Sequence, residues 1–258
     1  MLKKKFQYLS LVTIVTISGI SFSTAVNADL VSYSTGFESS PTTGLIGDGW
    51  NNYVNQFATD GSYAGGYEYV GGGAGGAPAG GPQVSAIVGG QTGPEQGLQA
   101  LVVYSDYDNG FFMTNGNPAA LETNVFQGQT VGAGDIGNTW RFSFDAKRGN
   151  IEAPATASAF IKVFDANFNL LSFPQYDTSD LSIDWGTYSI DLTMDPVYEG
   201  AILQFGFLTN TGGYVGSGNY YDNVNFALAP AVPVPAAVWL FGSGLLGLIG
   251  VARRRKAT

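Results

Sequence analysis

Carboxylates and aromatic rings are the side chains here with chemistry to offer. The 258 residues include 20 Asp and Glu, 14 Tyr, 17 Phe and 4 Trp, but no His and no Cys. Ser-His-Asp and Cys-His catalysis, zinc sites of thiolate or imidazole, and haem held through His all need the missing types. Oxygen chemistry remains. A metal would be hard and oxygen-ligated, which favours calcium over a transition ion. A bond-breaking reaction would be glycoside hydrolysis, with two carboxylates flanking the bond. Spacing gives that little support: the segment from Asp180 to Asp191 holds no Glu, and Asp184 has no acid at a useful offset. Asp106-Tyr107-Asp108-Asn109-Gly110 lacks the third acid and later Glu of an EF-hand loop, so it reads as an Asx-rich turn. Flat pyranose faces stack on aromatic rings. Trp140 and Trp185 sit in strand-like patterns and are expected in the core. Trp50, Tyr53, Tyr63, Tyr67 and Tyr69 fall in a Gly/Asn-rich, loop-like stretch and are the better glycan-binding candidates.

Short strands must position these groups. Leu98–Tyr104, Thr139–Ala146, Ala157–Phe164, Gly186–Leu192, Ala201–Phe207 and Tyr220–Phe226 are β-branched or aromatic with period two, and Gly, Asn, Asp and Pro punctuate them. No amphipathic helix is evident between them. The pattern predicts an all-β fold, an antiparallel β-sandwich of jelly-roll form. Gly71–Pro82 is low complexity without the Lys or Ser/Thr of a P-loop and is expected to be a surface loop. Ala227–Pro235 reads as a linker.

Charge separates the chain into three parts. Residues 29–230 carry all twenty acids and only Arg141, Lys147, Arg148 and Lys162 as cations, a formal charge of −16. Such a domain should repel nucleic acid. The other cations flank two apolar runs. Lys3, Lys4 and Lys5 precede Phe6–Ile20 and then Val26-Asn27-Ala28, the layout of a signal peptide cut after Ala28. At the other end, residues 236–252 form a run of 17 without charge, about 25 Å as a helix against a hydrocarbon core of about 30 Å. Arg253, Arg254, Arg255 and Lys256 follow it. The expected parts are a signal helix at 1–28, a β-sandwich at 29–230, and a transmembrane sorting helix within 231–258.

The tail resembles the PEP-CTERM sorting signal of Gram-negative bacteria. Val232-Pro233-Val234-Pro235 supplies the Pro motif, with Val in place of the name-giving Glu; Trp239–Leu248 the apolar helix; and Arg253–Lys256 the basic end. The resemblance implies transient residence in the inner membrane, recognition by an exosortase-type membrane protease, cleavage near the Pro motif, and release to the cell surface or exterior.

A second resemblance spans roughly Tyr33 to Phe226. Gly36-Phe37-Glu38, Gly97–Val103, Phe142–Lys147, Trp185–Tyr188, Gln204–Phe207 and Tyr221–Val224, in that order, are similar to jelly-roll carbohydrate-binding modules of the galactose-binding-like type. That likeness implies a structural Ca2+ held by Glu38 near the first strand and Asp222 on the last. It also implies a non-catalytic extracellular partner of polysaccharide, with family context in biofilm or floc. A purely structural matrix protein and a weak glycoside hydrolase remain as alternatives.

Overall fold

The structure is a computed structural model that describes residues 29–39, 49–58, 60–68, 84–91, 93–105, 120–213 and 215–230. The expected signal peptide and the expected sorting tail, including Val232, Pro233, Pro235 and Arg253–Arg255, lie outside the described residues.

The expected all-β character is borne out. Thirteen strands and two short 3-10 turns, Ala133–Asp135 and Pro196–Tyr198, account for the regular structure among the described residues. In chain order the strands are β1 Tyr33–Thr35, β2 Asn51–Phe57, β3 Tyr63–Tyr67, β4 Ser85–Gly89, β5 Gln99–Val103, β6 Ala120–Thr130, β7 Thr139–Arg148, β8 Thr156–Phe164, β9 Leu170–Ser172, β10 Gln175–Asp177, β11 Gly186–Thr193, β12 Ile202–Thr211 and β13 Asn219–Leu228. They form two antiparallel sheets, β11-β7-β13-β5-β4 and β10-β8-β12-β6-β2-β3. No helix among the described residues is long and apolar enough to cross a membrane.

Period-two alternation directs one row of each strand inward. Leu203, Phe205 and Phe207 of β12 meet Phe142 and Phe144 of β7 and Tyr221 and Phe226 of β13, all fully or almost fully buried. Phe205 stacks on Phe226 at 4.2 Å and Phe207 on Tyr221 at 3.8 Å between centroids. Each such ring removed from water contributes about 1.5–3 kcal/mol.

Two local arrangements matter for function. β5 and β1 share one edge of β13 in succession: β5 pairs with Asn219–Tyr221 and β1 with Val224–Phe226. The ladder between β13 and β7 shifts register between Asp222 and Asn225, where the edge changes hands. Second, Trp50–Tyr67 is not the loop its composition suggested. It forms the β2–β3 hairpin at the edge of the second sheet. Gly66 survives in that strand because the Tyr53 ring lies against its bare Cα, where any Cβ would collide with it.

Candidate functional site

The acidic junction is built by that change of partner. Glu38 follows β1, and Gly97 and Leu98 precede β5, so both connections meet at the β13 bulge. The Glu38 Oε1 atom accepts hydrogen bonds from the backbone N–H of Leu98 at 2.8 Å and Gln99 at 2.9 Å. Gly97 has φ +57°, and any Cβ there would run into the Glu38 carboxylate. Asp222 lies beside it and is fully buried. Its Oδ1 accepts from the Asn223 N–H at 2.6 Å, while its Oδ2 is buried with no hydrogen-bond partner. Asp145 stands directly opposite Asp222 on β7. Asp145 is satisfied by three donors: Gln96 Nε2 at 2.7 Å, Asn223 Nδ2 at 2.8 Å and Thr187 Oγ1 at 2.6 Å. Burial, then the Glu38 and Asp145 charges, push the Asp222 carboxyl up to about 7, although the Asn223 N–H pulls it the other way.

A buried carboxylate oxygen without a donor, facing like charge, is costly. A hard cation would remove both defects. The oxygen types suit one: Asp222 Oδ2 and Glu38 Oε2 are carboxylate ligands that calcium accepts. The described residues hold no group of three Asp or Glu placed as metal ligands, so two carboxylates and neutral oxygens would share the ion. Glu38 and Asn223 also line an open hollow of about 530 Å³ with Ser34, Gly36 and Asn225.

The second site is the outer face of the second sheet. Antiparallel register places Tyr53 opposite Asn124 and Asn55 opposite Glu122. On β12, Leu208 lies between Asn124 and Ser158, and Gln204 between Gly128 and Lys162. The Lys162 side chain runs diagonally across this face. Its Nζ donates to Glu122 Oε1 at 2.9 Å and Asn124 Oδ1 at 2.7 Å. It also lies 4.7 Å and 4.8 Å from the ring centroids of Phe160 and Phe173. Asn55 Nδ2 donates to the same Glu122 oxygen at 3.0 Å. The Lys and Glu side chains are only 8% and 14% exposed.

Burial pushes the Glu122 carboxyl up, but the Lys162 charge and the Lys162, Asn55 and Asn124 donors outweigh it and hold it below the usual range. Burial lowers Lys162, against the opposing pull of Glu122. At the hairpin end, Tyr63 is 59% exposed, and its hydrogen bond with Tyr53 helps to push its phenol up to about 12. A belt of rings, amides and one ion pair therefore crosses the strands from β3 to β8. It lies on the face turned from the sandwich core, but Asn124 and Lys162 are themselves buried, and Tyr63 is its most exposed member.

The aromatic candidates divide. Tyr53 and Tyr63 belong to this belt. Trp50 does not: it is 2% exposed, stacks at 6.3 Å on Phe207 and donates its Nε1–H to Tyr33 Oη at 2.8 Å. Its Gly/Asn-rich surroundings hid a core position. Tyr67 is also displaced from the belt, because its register partner Val54 faces inward; it packs on the small cluster of Val54, Val84 and Leu121. Tyr69 and the Asp106–Gly110 cluster lie outside the described residues. Trp140 is in the core as expected. Trp185 is only half-buried, with its Nε1–H on the Gln91 carbonyl and Lys147 Nζ 5.0 Å from its ring. Asp184 is exposed and Asp180 pairs loosely with Arg148 at 3.6 Å; neither faces a second carboxylate across a cleft. Glu122, Asn124 and Lys162 were missed. Their signal was present as polar residues at alternate positions in Ala120–Gln127 and Thr156–Phe164.

Residues 231–256 match the PEP-CTERM protein-sorting motif. No curated protein is similar enough in sequence to count as a relative. Among solved structures, the chain is similar to the C-terminal family 22 carbohydrate-binding module of Clostridium thermocellum Xyn10B, at 12% identity and TM-score 0.41, over 78% of this chain and 95% of that one. It is also similar to the enzymatically active domain of bacteriophage CBA120 tailspike protein 4, at 15% identity and TM-score 0.41, covering 70% of this chain but one fifth (20%) of that one. A third is a Stig cyclase from Fischerella sp. TAU, at 15% identity and TM-score 0.44, over 78% and 100%. Binding modules and enzymes stand together in this group, so the likeness selects no chemistry.

Proposed function

We propose that residues 29–230 form an exported, non-catalytic polysaccharide-binding module of jelly-roll type. Its tail directs it through an exosortase-type protease to the cell surface or extracellular matrix, with a role in a biofilm or floc. The PEP-CTERM match supports the delivery. The observation that supports the binding is the row of Tyr63, Tyr53 and Asn55 on the face of the second sheet turned from the core, with the largely buried Glu122, Asn124 and Lys162 beside it holding Asn55 in place. The Asn55 amide and the Tyr hydroxyls there can bond sugar hydroxyls, and the two Tyr rings can flank them with apolar faces. The Glu122 carboxylate is tied to Lys162, and the raised Asp222 carboxyl is fully buried. Neither is placed to serve as an acid or base on an incoming glycan, which supports binding over hydrolysis.

We further propose that Ca2+ binds between Glu38 and Asp222 and ties the β13 bulge to the segments beside it. The orphaned Asp222 Oδ2 and the adjacent Glu38 support this reading.

Affinity electrophoresis of the exported protein through gels containing neutral and acidic polysaccharides tests the binding. Retardation by at least one neutral glucan, xylan or galactan is expected, weakened several-fold by Tyr53→Ala. Free migration through every gel would refute it in favour of a purely structural matrix protein. Release of reducing ends would favour a glycoside hydrolase.

A further inference from the structure

The domain begins and ends at one pole. β1 lies antiparallel to the end of β13, with Tyr33 opposite Phe226. Asp29 precedes Tyr33 by as many residues as Pro230 follows Phe226. Both segments are tied down there. Leu30 N–H donates to Asp135 Oδ2 at 2.8 Å, Val31 N–H to Gln129 Oε1 at 2.7 Å, and Ala229 N–H to the Thr139 carbonyl at 2.8 Å. The β6–β7, β8–β9 and β11–β12 connections turn at the same pole, since Ile202 of β12 pairs with both Thr130 and Phe164.

Large apolar side chains stand open on it. Val31 is 68% exposed, Phe168 67%, Val197 64% and Leu228 55%. Strand periodicity accounts for one of them: Leu228 lies two residues beyond the buried Phe226 and continues its core-facing row past the end of the sandwich, whereas Val31 lies outside β1, next to the buried Leu30. Phe168 and Val197 sit in the β8–β9 and β11–β12 connections. Single exposed apolar residues are ordinary, but several gathered at one end mark a contact surface.

Chain length says what that surface meets. From Pro230 to Ala236, where the apolar run beyond the Pro motif begins, is six residues, at most about 20 Å when extended. The headgroup layer on each side of a bilayer is about 5–8 Å deep. With the run inserted, this pole is held close to the lipid surface.

We propose that the terminus-bearing pole is a lipid-contacting face of the tethered precursor, seating Val31, Phe168, Val197 and Leu228 in the headgroup layer of a zwitterionic bilayer. The proposal rests on the tail being a membrane span. Charge selects the lipid. Asp29, Asp165, Asp195 and Glu199 lie within three residues of Val31, Phe168 and Val197 in the chain, and Arg141, on the strand that starts here, is held by Asp191 at 2.7 and 2.8 Å. Anionic headgroups would be repelled.

The chain has no Cys, so Val31→Cys, Val197→Cys and, at the opposite pole, Ile183→Cys each accept one fluorophore. All three sites are exposed, with Ile183 at 77%. The labelled full-length chains are inserted into phosphatidylcholine vesicles carrying a lipid-attached quencher, with and without phosphatidylglycerol. Quenching at positions 31 and 197 several-fold stronger than at 183, and reduced by phosphatidylglycerol, is the expected result. A chain that fails to float with the vesicles refutes the membrane-span reading and the proposal with it. A chain that floats but shows equal quenching at both poles, or stronger quenching with phosphatidylglycerol, refutes the lipid contact alone. Self-quenching that rises with protein density while lipid quenching stays absent would assign the face to a second copy, and would also overturn it.

Discussion

Replacing Lys162 by Met removes a charge and keeps most of the apolar stem. The loss is large because the partner stays behind. Glu122 is 14% exposed and holds Lys162 Nζ at 2.9 Å; Asn124 Oδ1 loses its 2.7 Å donor. Breaking a buried ion pair from one side costs about 3–5 kcal/mol, a large part of the 5–15 kcal/mol that stabilises an ordinary domain. At a urea dependence of about 2 kcal/mol/M, the midpoint should fall by roughly 2 M at pH 7. The sign with pH is fixed. In the wild type Glu122 titrates below its usual range, so its contribution is present above the unfolded value and lost as pH falls through the folded one. In the variant, only the Asn55 and Asn124 donors still oppose burial, so the carboxyl rises from its wild-type position and protonates more readily. The penalty should therefore shrink between pH 7 and pH 4. Adding Glu122→Leu should recover part of it, since the stranded charge is gone. Urea unfolding at both pH values, followed by intrinsic fluorescence, measures all of this. Equal penalties at pH 7 and pH 4, or additive single and double variants, would refute the buried-pair reasoning.

Other outcomes follow from the same geometry. Calcium at a hundredfold excess over its dissociation constant should stabilise the protein by about 2.7 kcal/mol, roughly 5–10 °C in melting temperature for a domain of this size. Calorimetry with chelator should show that shift vanish in Glu38→Gln. Trp50→Ala should lose about 3–5 kcal/mol by urea unfolding, since the ring fills the core against Phe207; a loss under 1 kcal/mol would place the ring at the surface. Tyr63→Phe should remove one of the two phenols pushed up to about 12 and leave Tyr221, read as the amplitude of ultraviolet difference absorbance at high pH, with unfolding unchanged within about 0.5 kcal/mol.

The strands were legible because burial on one face imposes period two. Thr139–Ala146 and Gly186–Leu192 are β7 and β11 within two residues at either end. The Trp50–Tyr67 hairpin was hidden because Gly and Asn lower strand propensity, while the compensating cover of Gly66 by Tyr53 comes from the neighbouring strand. Trp185 looked like core from its apolar neighbours, but it precedes β11 and stands over Lys147 at the surface. Glu38 and Asp222 were placed together by resemblance. Asp145, 77 residues from Asp222, joins them only through register. The same holds for Lys162 and Glu122, 40 residues apart: local sequence shows which face a residue takes, but not what lies across the sheet.

Hydrogen exchange of the exported protein, with and without the polysaccharide that retards it, tests the central claim most directly. Slowed exchange concentrated in β2, β6 and β8 around Tyr53, Asn124 and Lys162 is the predicted result. Protection confined to the first sheet, or none with any bound polysaccharide, would contradict it.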